Sequence, residues 1–269
     1  MIVSLEHHIT DHCNLNCAGC SHFSPLSKPW IESFDLFKEE WDRVHDKGLQ
    51  IQRIRILGGE TLLNPDLDKM LVYLRPLFPN SDINVVTNGI LLERQRPKLL
   101  PIFKQNDISI TISIYPGLNL DLRKILYGFP KIEVYDKAQF WNISLHEEPT
   151  FTPKDAFQAC FSATDAHCSY LKDGRIYPCP ILPNIPHLIE YFPKLKDYPI
   201  GKVDVTEGGI TIEDHSIEEI EQFLTKENQI CSFCNSWRAK QSGPWHRTNY
   251  EITEWMETNN ETIISNSRS

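Results

Sequence analysis

An α/β fold is predicted, a partial (β/α) TIM-like barrel of five to six βα units followed by a small C-terminal α+β extension. Three observations predict it. Short β-rich runs alternate with amphipathic stretches from residue 3 to residue 136, the pattern of parallel βαβ units. A closed eight-fold barrel takes about 250 residues, so the stretch 1–150 makes only an open part of one. After residue 140 the rhythm stops, and hairpin and short-helix signals replace it. The 269 residues therefore divide into a barrel over 1–150, an extension over 151–240 and a terminal helix and tail over 241–269.

Val3 to Thr10 is β-branched at intervals and reads as the first strand. From Asp35 to Lys47, apolar Leu36, Phe37, Trp41 and Val44 recur between charges, and Gly48 follows. That is an amphipathic helix with a C-terminal stop. Ile51 to Leu57 alternates Ile with Arg as a second strand and breaks at Gly58-Gly59-Glu60. Pro65 to Phe78 is a helix opened by Asn64-Pro65 and closed by Pro79. Asp82 to Thr87 is a strand ending in Asn88-Gly89, and Gln95 to Gln105 a helix frayed by Pro97 and Pro101. Ile108 to Ile114 alternates as a strand, Asp121 to Tyr127 is a short helix, and Lys131 to Tyr135 is a fifth strand. Reactive loops of such units lie at the C-terminal strand ends.

Trp141 to Ala156 carries no period. Cys168 to Cys179 reads as a hairpin turning at Asp173-Gly174, with Tyr170 and Leu171 on one arm and Ile176 and Tyr177 on the other. Ile217 to Leu224 is a short helix before Cys231-Ser232-Phe233-Cys234; Ile252 to Met256 is a last helix, and Glu257 to Ser269 a frayed end.

The composition, 41% apolar and 23% charged, is that of a globular protein. A net charge of −9 argues against a nucleic-acid backbone or an anionic membrane as main partner. No apolar run reaches a membrane span, and Met-Ile-Val-Ser-Leu-Glu lacks the basic start of a signal peptide. A cytoplasmic location is expected, and there eight cysteines read as metal ligands or catalysts rather than as disulfides.

Cys13, Cys17 and Cys20 stand at C-x3-C-x2-C spacing. Three close thiolates can hold three corners of a [4Fe–4S] cube and leave the fourth for a non-protein ligand. The alternative is structural zinc, which wants four protein ligands and would take the fourth from His12 or His22.

The run resembles the signature of the radical SAM superfamily. That resemblance implies that Cys13, Cys17 and Cys20 carry a [4Fe–4S] cluster whose open iron binds S-adenosylmethionine (SAM). Gly19 stands where an aromatic residue is usual, so Phe23 becomes the candidate for the adenine contact. Gly58-Gly59-Glu60 matches the superfamily's Gly-Gly-Glu-Pro motif for the SAM amino group, with Thr61 in place of Pro. Read from the residues alone, the glycines let backbone approach a ligand and the carboxylate answers a cation. Asn88 and Ser113, at later strand ends, are candidates for the SAM ribose and carboxylate, against the ordinary readings of a turn and a strand-face hydroxyl. Of His7 and His8 only one can face the interior; His8 is the candidate to touch substrate or serve as a base, against a packed histidine.

Cys160, thirteen residues, Gly174, four residues and Cys179, with Cys231-x2-Cys234 downstream, form a second set. It resembles the twitch domain, a shortened SPASM extension, which implies one auxiliary [4Fe–4S] cluster; a zinc knuckle is the alternative. Cys168 is left over: a ligand in place of Cys160, an inert thiol, or a hydrogen-atom donor if the protein is an epimerase.

Size and layout resemble the 2-deoxy-scyllo-inosamine dehydrogenase group. The implied chemistry is reductive cleavage of SAM to a 5′-deoxyadenosyl radical, hydrogen abstraction from a carbon, and oxidation of a sugar or cyclitol hydroxyl. The rivals are a sugar epimerase, a peptide-modifying enzyme and a non-catalytic zinc protein. Implied partners are a small-molecule substrate (sugar, nucleotide sugar or cyclitol) and a flavodoxin- or ferredoxin-type reductant. Lys172, Arg175 and Arg238 could meet a phosphate or nucleotide handle.

Overall fold

The computed structural model describes residues 1–136, 139–141, 144–235 and 241–257; for 139–141 and 241–243 it describes the backbone. The expectations for Arg238 and for 258–269 lie outside the described residues.

Five parallel strands come first: β1 (Ile2–His8), β2 (Ile51–Leu57), β3 (Asp82–Thr87), β4 (Ser109–Ile114) and β5 (Lys131–Asp136). Helices α1 (Phe34–Asp46), α2 (Leu67–Leu77), α3 (Leu92–Gln105) and α4 (Leu122–Leu126) connect them. Past β6 (Gln139–Trp141) come α5 (Pro153–Gln158), α6 (Phe161–Thr164), β7 (Cys168–Lys172), β8 (Arg175–Tyr177), α7 (Ile181–Tyr191), β9 (Ile210–Thr211), α8 (Ile217–Phe223) and β10 (Gln241–Pro244).

One eight-stranded sheet runs β5-β4-β3-β2-β1-β7-β8-β9, and β6 pairs with β10. Since β7 lies parallel to β1, six strands are parallel and the sheet stays open between β5 and β9. This is the α/β, partial-barrel architecture the alternation predicts. The hairpin of the extension is continuous with the barrel sheet.

Strand periodicity divides the two faces. Leu5, Ile54, Ile56, Ile83, Val85, Ile110 and Ile112 bury against Trp41, Met70, Leu74 and Phe103 of α1 to α3. The opposite, concave face is polar. Glu6 accepts from Arg55 at 2.6 Å, Arg53 donates to Glu133 at 2.7 Å, and Thr111 donates to Glu133 at 2.9 Å and to Asn84 at 3.0 Å.

A second core gathers Tyr170, Tyr177, Leu182, Ile185, Leu188, Ile230, Phe233 and Trp255, with Phe23 and Leu26 from the cysteine loop. The β7–β8 hairpin serves both cores, because Leu171 and Ile176 face the first and Tyr170 and Tyr177 the second. Its turn lies at Asp173 (φ 52°) and Gly174 (φ 70°), the left-handed pair of a tight hairpin. The Gly174 N–H donates to both carboxylate oxygens of Glu40 on α1 at 2.9 Å.

Two elements differ from the sequence reading. Helix α3 begins at Leu92 and carries Pro97 and Pro101 inside rather than fraying there; Leu92, Leu99 and Phe103 are anchored in the first core. The expected terminal helix is a single 3-10 turn, Ile252–Glu254, whose flanking residues bond to other segments instead of continuing a helix. Among the described residues no helix is long and apolar enough to cross a membrane.

Candidate functional site

Strand β1 delivers the cysteine loop at its C-terminal end. Gly59 N–H donates to Thr10 O at 2.7 Å and Glu60 N–H to His12 O at 2.9 Å, so the end of β2 is laid against the start of the loop. A Cβ on Gly58 would stand 2.3 Å from Thr10 O, and one on Gly59 2.2 Å from His12 O. The close approach these glycines allow is therefore of backbone to backbone. Their hydrogens face the chain that launches the thiols.

Glu60 is buried. Its carboxylate accepts from Thr87 Oγ1 at 2.5 Å, Leu62 N at 3.1 Å and Asn88 N at 2.8 Å. Burial raises its pKa against these three donors. Three bonds leave about one of the four acceptor positions of a carboxylate open.

Asn88, at the end of β3, donates to Asn14 Oδ1 at 2.7 Å and sits 4.0 Å from Cys13 Sγ. It thus lies against the cysteine loop. Ser113 is half-buried beside Tyr135 and takes no part in that hydrogen-bonded set. Phe23 is fully buried in the second core, the placement of a packing side chain rather than an open ring contact.

Gly19 has φ 62°. Glycine takes this left-handed backbone without steric cost.

His7 and His8 separate as strand alternation demands. His7 packs on the helix side against Phe37 and Trp41 and pairs with Glu32 at 3.0 Å. His8 faces the interior, 4.3 Å from the His22 ring and 4.6 Å from Tyr170. Burial, then the neighbouring His22 and Lys172, hold His8 well below the ordinary histidine pKa, and its Nε2 is buried without a hydrogen-bond partner.

None of the eight cysteines is in a disulfide. Burial pushes Cys13 and Cys17 up to about 12 and also raises Cys20. Cys20 also raises Cys13, and Cys20 and Cys13 raise Cys17, so the three share one neighbourhood. Tyr115 and Trp245, with ring centroids 5.4 Å apart, border Cys17 and favour its thiolate. Trp245 directs its indole N–H at the Cys17 sulfur.

In the second set, burial and then Cys231 and Cys234 raise Cys179. Burial raises Cys231 to about 11, with Cys160 adding to it. Cys160, Cys179, Cys231 and Cys234 thus form a connected group. Cys168 lies at its edge on the concave face, raised by burial and then by Glu6, near Arg55 and Cys160.

Among the described residues no three His, Cys, Asp or Glu side chains converge tightly enough to share one metal ion. Ligands of one zinc ion stand about 4 Å apart, from zinc–sulfur bonds of about 2.3 Å; a cluster, with its irons at separate corners, holds its thiolates wider.

Asn14, Tyr115, Trp245 and Trp255 are not legible as site residues from sequence. For the tryptophans the one signal is an aromatic with a polar tip in a segment without period.

Residues 8–126 match the family model described as Radical SAM superfamily. The chain is 37% identical over 100 residues to a GTP 3′,8-cyclase of Staphylococcus saprophyticus, covering 34% of this chain and 28% of that protein. It is 31% identical over 113 residues to the antilisterial bacteriocin subtilosin biosynthesis protein AlbA of Bacillus subtilis, covering 42% and 23%. The matched stretch thus spans only about a quarter of those relatives' lengths. The crystal structure of BtrN in complex with AdoMet and 2-DOIA superposes over 87% of this chain and 93% of its own, with TM-score 0.56 and 16% identity, which is a likeness of fold. Together these support the radical SAM superfamily, and the family implies a [4Fe–4S] cluster and SAM as cofactors. The residues fit: three thiols on one loop outside any disulfide, an indole N–H of Trp245 directed at Cys17, and a buried carboxylate with an acceptor position left.

Proposed function

We propose that this chain is a radical SAM oxidoreductase that oxidises a hydroxyl-bearing carbon of a sugar, nucleotide sugar or cyclitol. The observation that carries the reading is the loop after β1, where three free thiols stand beside Glu60 and Asn88 at the neighbouring strand ends. Glu60 supports a cationic ligand. It is a buried carboxylate held by hydrogen-bond donors alone, and a docking ammonium would relieve the cost of its charge.

Cys13, Cys17 and Cys20 would hold a cluster that, with SAM, would supply a hydrogen-abstracting 5′-deoxyadenosyl radical, and Cys160, Cys179, Cys231 and Cys234 would hold an auxiliary cluster able to accept an electron. The polar concave face supports a polyhydroxylated substrate. Arg53, Arg55, Glu6 and Glu133 offer donors and acceptors there, each already oriented by a partner. His8 stays neutral and presents Nε2 as a receiver for a hydroxyl proton's hydrogen bond. The complex of BtrN with AdoMet and 2-DOIA motivates the small-molecule reading. The barrel over 1–150 and the thiol-bearing extension over 151–240 would divide the work, with a small ferredoxin- or flavodoxin-type reductant feeding the first cluster.

A second reading is epimerisation, favoured by Cys168. Its thiol stays protonated beside Glu6 on the concave face, as a hydrogen-atom donor requires.

Anaerobic reconstitution tests both. Eight irons per chain, and 5′-deoxyadenosine after dithionite and SAM, are expected; zinc alone at both thiol sets overturns the proposal. Cys168→Ala should leave an oxidoreductase active, and in an epimerase it should abolish incorporation of solvent hydrogen into product.

A further inference from the structure

The segment 241–257, which the sequence offers only as a terminal helix and tail, meets both thiol sites. Its first half pairs with the cysteine loop: Ala18 N–H donates to His246 O at 3.1 Å, Thr248 N–H donates to Asn16 O at 2.9 Å, and Cys17 bridges Arg247. Its second half pairs with the other set. Leu145 N–H donates to Trp255 O at 3.0 Å and Glu257 N–H to Leu145 O at 2.8 Å, while Leu145 also bridges Cys234. His146 N–H to Phe233 O and Asn235 N–H to Ser144 O, each 2.8 Å, lock that strip on its far side.

Trp255 joins the halves. It is fully buried in the second core, and its indole Nε1 donates to Cys20 O at 3.1 Å across a sequence separation of 235 residues. Two hydrogen bonds of this residue, one from its ring and one to its carbonyl, therefore connect a first-loop cysteine with the strip that carries Cys234. An indole is suited to this, being a large rigid body with one donor.

We infer that Trp255 is a positioning residue that fixes the first thiol loop against the second thiol set. This rests on the proposed function only in taking both sets to hold clusters. Two redox centres need a set separation, and a loop of three ligands needs its backbone held once the thiolates are bound; Trp255 supplies both through Cys20 O.

The test uses the full chain with Trp255→Phe, which keeps an aromatic body and loses the N–H. In reconstituted protein, iron should stay near eight per chain. First-cluster loss in air should quicken about five-fold, the scale of one lost hydrogen bond, and the inter-cluster distance from pulsed electron resonance should broaden. The second cluster's loss rate should not change. Unchanged loss and an unchanged distance distribution overturn the inference.

Hydrogen exchange of the metal-free chain gives an independent arm, in which the Ala18 and Leu145 amides should both exchange faster in the variant. Faster exchange at Leu145 alone overturns the bridge. If wild type takes up no iron, the proposed function fails while this arm still decides the bridge. A folded variant is verified by an unchanged far-ultraviolet circular dichroism spectrum, and Thr248→Pro, which removes the Asn16 bond, should likewise quicken first-cluster loss.

Discussion

The carboxylate of Glu60, just past β2, accepts the backbone N–H of Asn88, just past β3, at 2.8 Å. Through Asn88 and Asn14 the same contact reaches the cysteine loop. One buried side chain thus aligns the C-terminal ends of three neighbouring strands. Glu60→Gln keeps the shape but turns an NH2 toward N–H donors. The metal-free protein should lose about 1–3 kcal/mol, the cost of leaving buried donors unpaired. Urea unfolding measures it; an unchanged midpoint at constant slope would contradict the assignment.

Gly59→Ala would place a Cβ 2.2 Å from His12 O, backbone against backbone, where no side-chain motion relieves the clash. The end of β2 must then shift away from the loop. Iron uptake should fall to about half or less and stability by at least ~2 kcal/mol, in the range of overpacking. An alanine variant with full iron content would show that the loop does not depend on this approach.

His7 and Glu32 form a buried pair whose charge state sets a pH dependence. Burial is the largest influence on His7 and opposes its protonation, but Glu32 together with Glu40 and Asp173 overcomes it, and the pKa is raised above 6.5. A raised folded-state pKa means that the folded form holds the proton more tightly. The stabilisation is complete below pH 6.5 and is lost as pH rises through the raised value. Thermal unfolding of the metal-free chain should show this fall, and His7→Phe, which strands Glu32, should cost about 3–5 kcal/mol at neutral pH. A stability profile flat from pH 6 to pH 9 would refute the pairing.

Cluster loading must remove protons from thiols that burial holds up to about 12 at Cys13 and Cys17. Deprotonation is easier as pH rises, and thiolate binding releases the protons. Initial uptake of iron and sulfide should therefore rise between pH 7 and pH 9, and an absorbance time course at each pH reads it. Uptake that slows with rising pH would reverse the sign of this dependence.

Much of the fold is legible because it is written in periods. Alternation marks β1 to β5, the 3.6-residue repeat marks α1 and α2, and Asp173-Gly174 marks the hairpin. The thiols and Asn88 are readable from spacing and from their places after strands. Gly59 is readable only in part, because a glycine announces close approach and not what approaches. The segment around Trp245 and Trp255 is hidden for a physical reason. Its hydrogen bonds go to the cysteine loop more than two hundred residues away and to Leu145 more than a hundred away, so no local repeat records them. The union of β7 with β1 is hidden likewise, since a parallel partner can be chosen from any strand.

The bond between Trp255 and Cys20 spans 235 residues, and it gives biosynthesis an order of events. At about 5–20 residues per second on the ribosome, the indole follows its partner by roughly 12–47 s. Throughout that interval the nascent thiols stand without their last backbone clasp.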